Sequence, residues 1–119
     1  MTVRLNENAL SHARGLVRSG DIVHDERDDW SEHAPTADEE NAFIERNGMD
    51  EFARWHLGEE TSETEGTKGR YRFPYGDFRR IHRCAVISAE SRAGQYHHAK
   101  IEKAFKDLLE AIDEKGERD

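Results

Sequence analysis

The stretch from Lys68 to His98 constrains the fold more than any other part of the chain. Arg70-Tyr71-Arg72-Phe73-Pro74-Tyr75 alternates basic residues or proline with aromatic rings, the period of a half-buried extended segment. Pro74 has no N–H to give a ladder, so a strand here belongs at a sheet edge. Gly76 and Asp77 follow as a turn, and Asp77 is placed to cap a helix. Stepping about 100° per residue from Phe78, the side chains of Ile81, His82, Ala85, Ser88 and Ala89 share one face. Val86 and Ile87 fall off that stripe, so the second half of this helix is apolar nearly all round, as befits a central, buried helix. Gly94 separates it from the next helix.

The flanking segments read mostly as helices. Asn6 or Asn8 can cap a first helix whose Ala9, Leu10, Ala13, Leu16 and Val17 share a face, with Gly20 as its C-terminal cap. Ile22-Val23 is a candidate brief strand, and an acidic turn-rich run, Asp25 to Asp29, leads to Trp30. Thr36 with Glu39 forms a capping box for a second helix that buries Phe43 and Ile44 and stops at Asn47-Gly48. A third helix, about Met49 to Leu57, places Met49, Phe52, Ala53, His56 and Leu57 on one side. Residues 58–69 carry no large apolar side chain and read as a mobile surface loop. The last helix, roughly Tyr96 to Glu114, has the clearest stripe: Ile101, Ala104, Phe105, Leu108, Leu109 and Ile112. Residues 116–119 read as a frayed tail. The expectation is one domain over residues 1–115, mainly α: a compact bundle of four to five helices, with at most a short two-stranded β edge.

Composition narrows the classes of function. With 34% hydrophobic and 37% charged residues, the apolar side chains must be well placed for a chain of 119 residues to hold a core. No apolar run approaches the roughly 18 residues of a membrane span, and the segment from Met1 to Leu5 has no apolar signal-peptide centre. A single cysteine makes no internal disulfide, which points to a reducing, cytoplasmic setting. The net charge of -8 is unevenly spread: residues 1–67 carry 6 basic and 17 acidic side chains, whereas residues 68–106 carry 10 basic and 3 acidic. Two readings fit this asymmetry. In the plainer one, the basic segment docks on the acidic half; in the sharper one, it forms a face for an anionic ligand.

Trp30 to Pro35, the turn at Gly48, Gly69 to Phe78 and Ala89 to Tyr96 together resemble a group of small uncharacterised bacterial proteins, over most of the chain. The resemblance implies a small self-contained domain and no activity.

Candidate chemistry is sparse. Lys68, Arg70, Arg72, Arg79, Arg80 and Arg83 interleave with Tyr71, Phe73 and Tyr75, a pattern in which guanidinium groups hold phosphates while rings stack on bases. His82 and Cys84, with His97 and His98 across the Gly94 turn and His33 or His56 to complete the set, are the residues to which a metal would fall. Their spacing matches no zinc motif, and on a straight helix His82 and Cys84 project about 200° apart. Cys84 reads as a buried, inert thiol. Ser88 and Ser91 lack a nucleophile elbow, and residues 66–69 lack the spacing of a phosphate loop. These observations lead to an expectation of a non-enzymatic cytoplasmic binding or regulatory module, without metal or cofactor. Its basic, aromatic-lined groove would take a phosphate-bearing ligand or nucleic acid, or the module would act through a protein partner. The alternative is a small metal protein or enzyme using His82, His97 and His98.

Overall fold

The computed structural model describes residues 3–26 and 29–118. In chain order it contains β1 (Val3–Leu5), α1 (Glu7–Ser19), β2 (Ile22–Val23), α2 (Trp30–His33), α3 (Ala37–Asn47), α4 (Met49–Ala53) and β3 (His56–Glu60). A single 3-10 turn (Lys68–Arg70) leads to β4 (Tyr71–Pro74), β5 (Ile81–His82), α5 (Arg83–Gln95) and α6 (Ala99–Arg118). β3 lies between β1 and β4 in an antiparallel sheet, and β2 pairs with β5 in parallel. The fold is therefore an α/β mixture, which corrects the mainly helical bundle expected from the sequence. Among the described residues, no helix is long and apolar enough to cross a membrane.

Three helices form where periodicity and caps place them. Asn6 accepts from the Ala9 N–H to start α1, and Gly20 closes it in the left-handed conformation at φ 81°. The capping box of α3 is complete: Thr36 Oγ1 accepts from the Glu39 N–H, and Glu39 Oε1 accepts from the Thr36 N–H. α6 buries Ile101, Ala104, Phe105, Leu108 and Ile112 against α5 and α1, and it runs on to Arg118, with Asp119 of the expected tail outside the described residues. α5 buries Cys84, Ala85, Val86, Ala89 and Ala93, four of which carry a side chain of one or two heavy atoms.

The differences have local causes. The third helix stops at Ala53, and His56-Leu57-Gly58-Glu59-Glu60 becomes the central strand β3 instead of the end of a helix and the start of a loop. This run has no β-branched residue, so propensity gives no sign of a strand. Its neighbours decide the matter: Gly58 pairs with Arg72, and the Phe73 ring lies over it so closely that a Cβ at Gly58 would fall 2.6 Å from the ring. Further on, Phe78 has φ 71°, which no helix accommodates. Residues 77–80 therefore form a turn, closed by Asp77 Oδ1 accepting from the Arg79 and Arg80 N–H groups. The expected helix begins only at Arg83, after the two-residue strand β5.

Two tests follow from β3. Gly58→Ala pushes a methyl into the Phe73 ring, and the expected loss is about 1–3 kcal/mol in a urea melt. His56, buried with Nδ1 donating to the Phe52 carbonyl, is lowered by that burial from 6.5 to about 4. The folded ring stays neutral while the unfolded chain binds a proton below 6.5, so stability is full above that pH and falls as pH drops towards 4. The slope from this group is up to about 1.4 kcal/mol per pH unit, and melts of His56→Gln across that range should lack it.

Candidate metal centre

Parallel pairing of β2 with β5 sets Ile22 beside Ile81 and Val23 beside His82. Two residues beyond β2, the chain thus delivers Asp25 to the N-terminus of α5. There Asp25 Oδ1 accepts from the Cys84 N–H at 2.7 Å. The position before α5 is His82, whose side chain makes no capping bond, so a carboxylate from far along the chain satisfies a free N–H and meets the positive end of the helix dipole.

The second carboxylate oxygen gathers three more groups. Asp25 Oδ2 lies 2.7 Å from His82 Nδ1, 2.8 Å from His33 Nδ1 and 2.9 Å from Cys84 Sγ. The four candidate ligand atoms all lie within 4.8 Å of one another. Asp25, His82 and Cys84 are buried, whereas the His33 side chain is 38% exposed on the short α2. The Trp30 ring, on the same helical turn as His33, stands 5.4 Å from the His82 ring.

A second layer is already in place. His82 Nε2 lies 2.9 Å from Asp77 Oδ2, and Asp77 is itself fixed by the Arg79 and Arg80 N–H groups. A histidine held by a carboxylate on one nitrogen, with the other nitrogen turned into a cluster of N, O and S donors, is the arrangement of metal-ligating histidines.

Electrostatics follow this geometry. Burial raises the Asp25 carboxyl, but bonds from the Cys84 thiol and N–H, from His82 and from His33 outweigh it and hold the group well below the usual carboxylate range. Burial and the facing Asp25 carboxylate push the Cys84 thiol up, while the bond to Asp25 raises His33. Burial likewise raises Asp77, yet His82 and the two turn N–H groups bring it down. Cys84 thus donates to a carboxylate whose negative charge, with burial, keeps it a thiol. This is the opposite of an activated nucleophile.

The residues singled out in the sequence are distributed as follows. His82 and Cys84 reach the same Asp25 oxygen because His82 ends β5 with extended backbone (φ -105°, ψ 125°) while Cys84 lies in the first turn of α5, so the straight-helix projection does not apply to the pair. His33 joins them. His97 and His98 lie past the far end of α5, roughly 20 Å along its 13 residues, and His56 is buried in β3. Of the basic residues, Lys68 pairs with Glu40, Arg70 is buried against Glu59 and the Thr61 and Glu63 carbonyls, and Arg83 pairs with Asp113. Arg72 lies 3.9 Å from Glu63, and Arg79 and Arg80 are exposed at the turn. Tyr75 is buried, its hydroxyl bonded to His12 and the Arg54 carbonyl, while Tyr71 and Phe73 line a cavity beside α5. Asp25 escaped notice because it sits in an acidic run that reads as solvated surface.

No family model matches the chain, and no curated protein or solved structure matches it either.

Replacing Asp25 with alanine removes the cap of α5 and leaves buried donors without an acceptor. In the presence of a chelator, Asp25→Ala should cost about 2–4 kcal/mol in a urea melt, whereas Asp113→Ala, which breaks the more exposed Arg83 pair, should cost about 1 kcal/mol or less.

Proposed function

We propose that this chain is a small metal-binding domain that holds one divalent transition ion, with Zn2+ best matched, through Asp25, His33, His82 and Cys84. The observation that carries this reading is the convergence of one carboxylate, two imidazoles and one thiol, from three separate segments, on a single point with the His82–Asp77 support already formed. Mixed O, N and S donors in fours suit tetrahedral zinc. Zinc–ligand bonds of about 2.0–2.3 Å put neighbouring donors roughly 3.3–3.7 Å apart. The contacts to Asp25 Oδ2 would open by less than about 1 Å to admit the ion. Four protein donors make a closed site, which is the form of a structural centre. Its effect is to tie the segment bearing Asp25 and His33 to β5 and α5, and its role is non-enzymatic. The single thiol suits a reducing, cytoplasmic setting.

Titration of purified, metal-stripped protein with Co2+ and Zn2+ tests this. The expected result is saturation at one ion per chain, with a thiolate-to-Co2+ absorption band that Cys84→Ser abolishes and a thermal stabilisation that a chelator reverses. Asp77→Asn leaves the four ligands in place and should weaken affinity about 10–100-fold. Binding without saturation, or a Co2+ spectrum indifferent to Cys84→Ser, would sink the proposal.

A further inference from the structure

Beside the metal centre, between β4, α2 and α5, lies a cavity of about 430 Å3, within the size range of small-molecule sites. Its walls are rings: Trp30, Tyr71, Phe73 and Tyr96. Its lining on α5 is Ala85, Ser88 and Ala89, whose short side chains take up little of the space. Tyr96 is 57% exposed, an unusual position for a large ring in a chain with so few apolar residues to spare.

The charge of the cavity runs against that of the chain. The protein carries -8 overall, yet among the described residues no aspartate or glutamate lines this space, whereas Arg72, Arg92 and His98 do. Arg92 is exposed and has no acidic partner among the described residues; Arg72 donates from Nε to the Gly69 carbonyl at 2.7 Å and lies 3.9 Å from Glu63, which leaves part of its guanidinium edge open. The backbone around the cavity is also unusual. Phe73 and His97 both have φ 62°, and such residues persist only where their surroundings hold them. Phe73 is held by the ring contacts with His98 and Phe105 and by the close seat on Gly58. Strain of this kind gathers at binding sites, and Phe73 is among the residues that line the cavity.

We infer that this cavity binds a small anion that carries a planar ring, of the size and chemistry of a mononucleotide. Arg92 and Arg72 take the anionic group through charge-assisted bonds, and the ring enters the space between the aromatic walls and α5. The inference stands apart from the metal reading, although Trp30 shares its helical turn with His33.

The test is a two-dimensional NMR titration of the full chain with AMP, adenosine and inorganic phosphate, run once with Zn2+ and once with chelator. AMP should shift the Trp30 indole and the amides of Ser88, Ala89 and Arg92 and saturate in at least one condition. Adenosine and phosphate should each bind at least roughly ten-fold more weakly. Arg92→Ala, on an exposed position that leaves the fold intact, should weaken AMP by roughly ten-fold or more. Trp30→Leu should weaken AMP and adenosine alike. Three outcomes overturn the inference: AMP leaving these resonances unmoved in both conditions, Arg92→Ala binding as well as the parent, or phosphate matching AMP. Failure of Zn2+ to bind at all, with AMP still saturating, removes the metal proposal and leaves this one standing.

Discussion

The carboxylate of Asp25 fixes the junction of three segments, the stretch after β2, α2 and the start of α5. One oxygen caps α5, and the other accepts from a thiol and faces two imidazoles. A buried carboxylate without partners is too costly to keep, so the surrounding donors are a condition of its burial. The dependence is mutual. α5 is the element against which α6 packs and on which the aromatic cavity rests, and its first turn relies on a side chain supplied from just beyond β2. Parallel pairing of only two residues per strand would be a weak tether by itself; the carboxylate makes the junction definite.

The uneven charge has a structural use. Lys68 pairs with Glu40, Arg70 with Glu59, and Arg83 with Asp113, so much of the basic segment is joined to acidic residues elsewhere. Exposed pairs of this type contribute little stability each, about 0–1 kcal/mol, but they discriminate between alternative packings because like charges would meet in the wrong ones. Arg70 goes further: with two carbonyls and one carboxylate around its guanidinium, it closes the turn between β3 and β4. Against this consumption of basic groups, Arg92 has no acidic partner among the described residues and is the one such arginine that lines the aromatic cavity.

How much was legible in the sequence depends on how local the cause was. α1, α3 and α6 announce themselves because stripe and cap lie within a few residues of each other. β3 was hidden because its strand character is imposed by Val3, Leu5 and Phe73 from either side and not by its own residues. Asp77 was recognised as a cap, yet the left-handed Phe78 turned that cap to a short turn and delayed the helix to Arg83. At the site, His82, Cys84 and His33 drew attention through their chemistry alone, while Asp25 was indistinguishable from its acidic neighbours. Only the β2–β5 register, which is a non-local fact, singles it out.

The separation of Asp25 from Cys84 by 59 residues bears on the order in which the molecule assembles. The α5–α6 hairpin and the β3–β4 ribbon are built from contacts close in sequence and need little chain closure. The Asp25 junction closes a loop spanning about half the protein, and the entropy of that closure must be met before its bonds exist. The cluster is therefore a feature of the finished chain and not of any fragment. Whatever binds there depends on the closure of that loop, since His82 and Cys84 meet Asp25 and His33 only when β2 and β5 are paired.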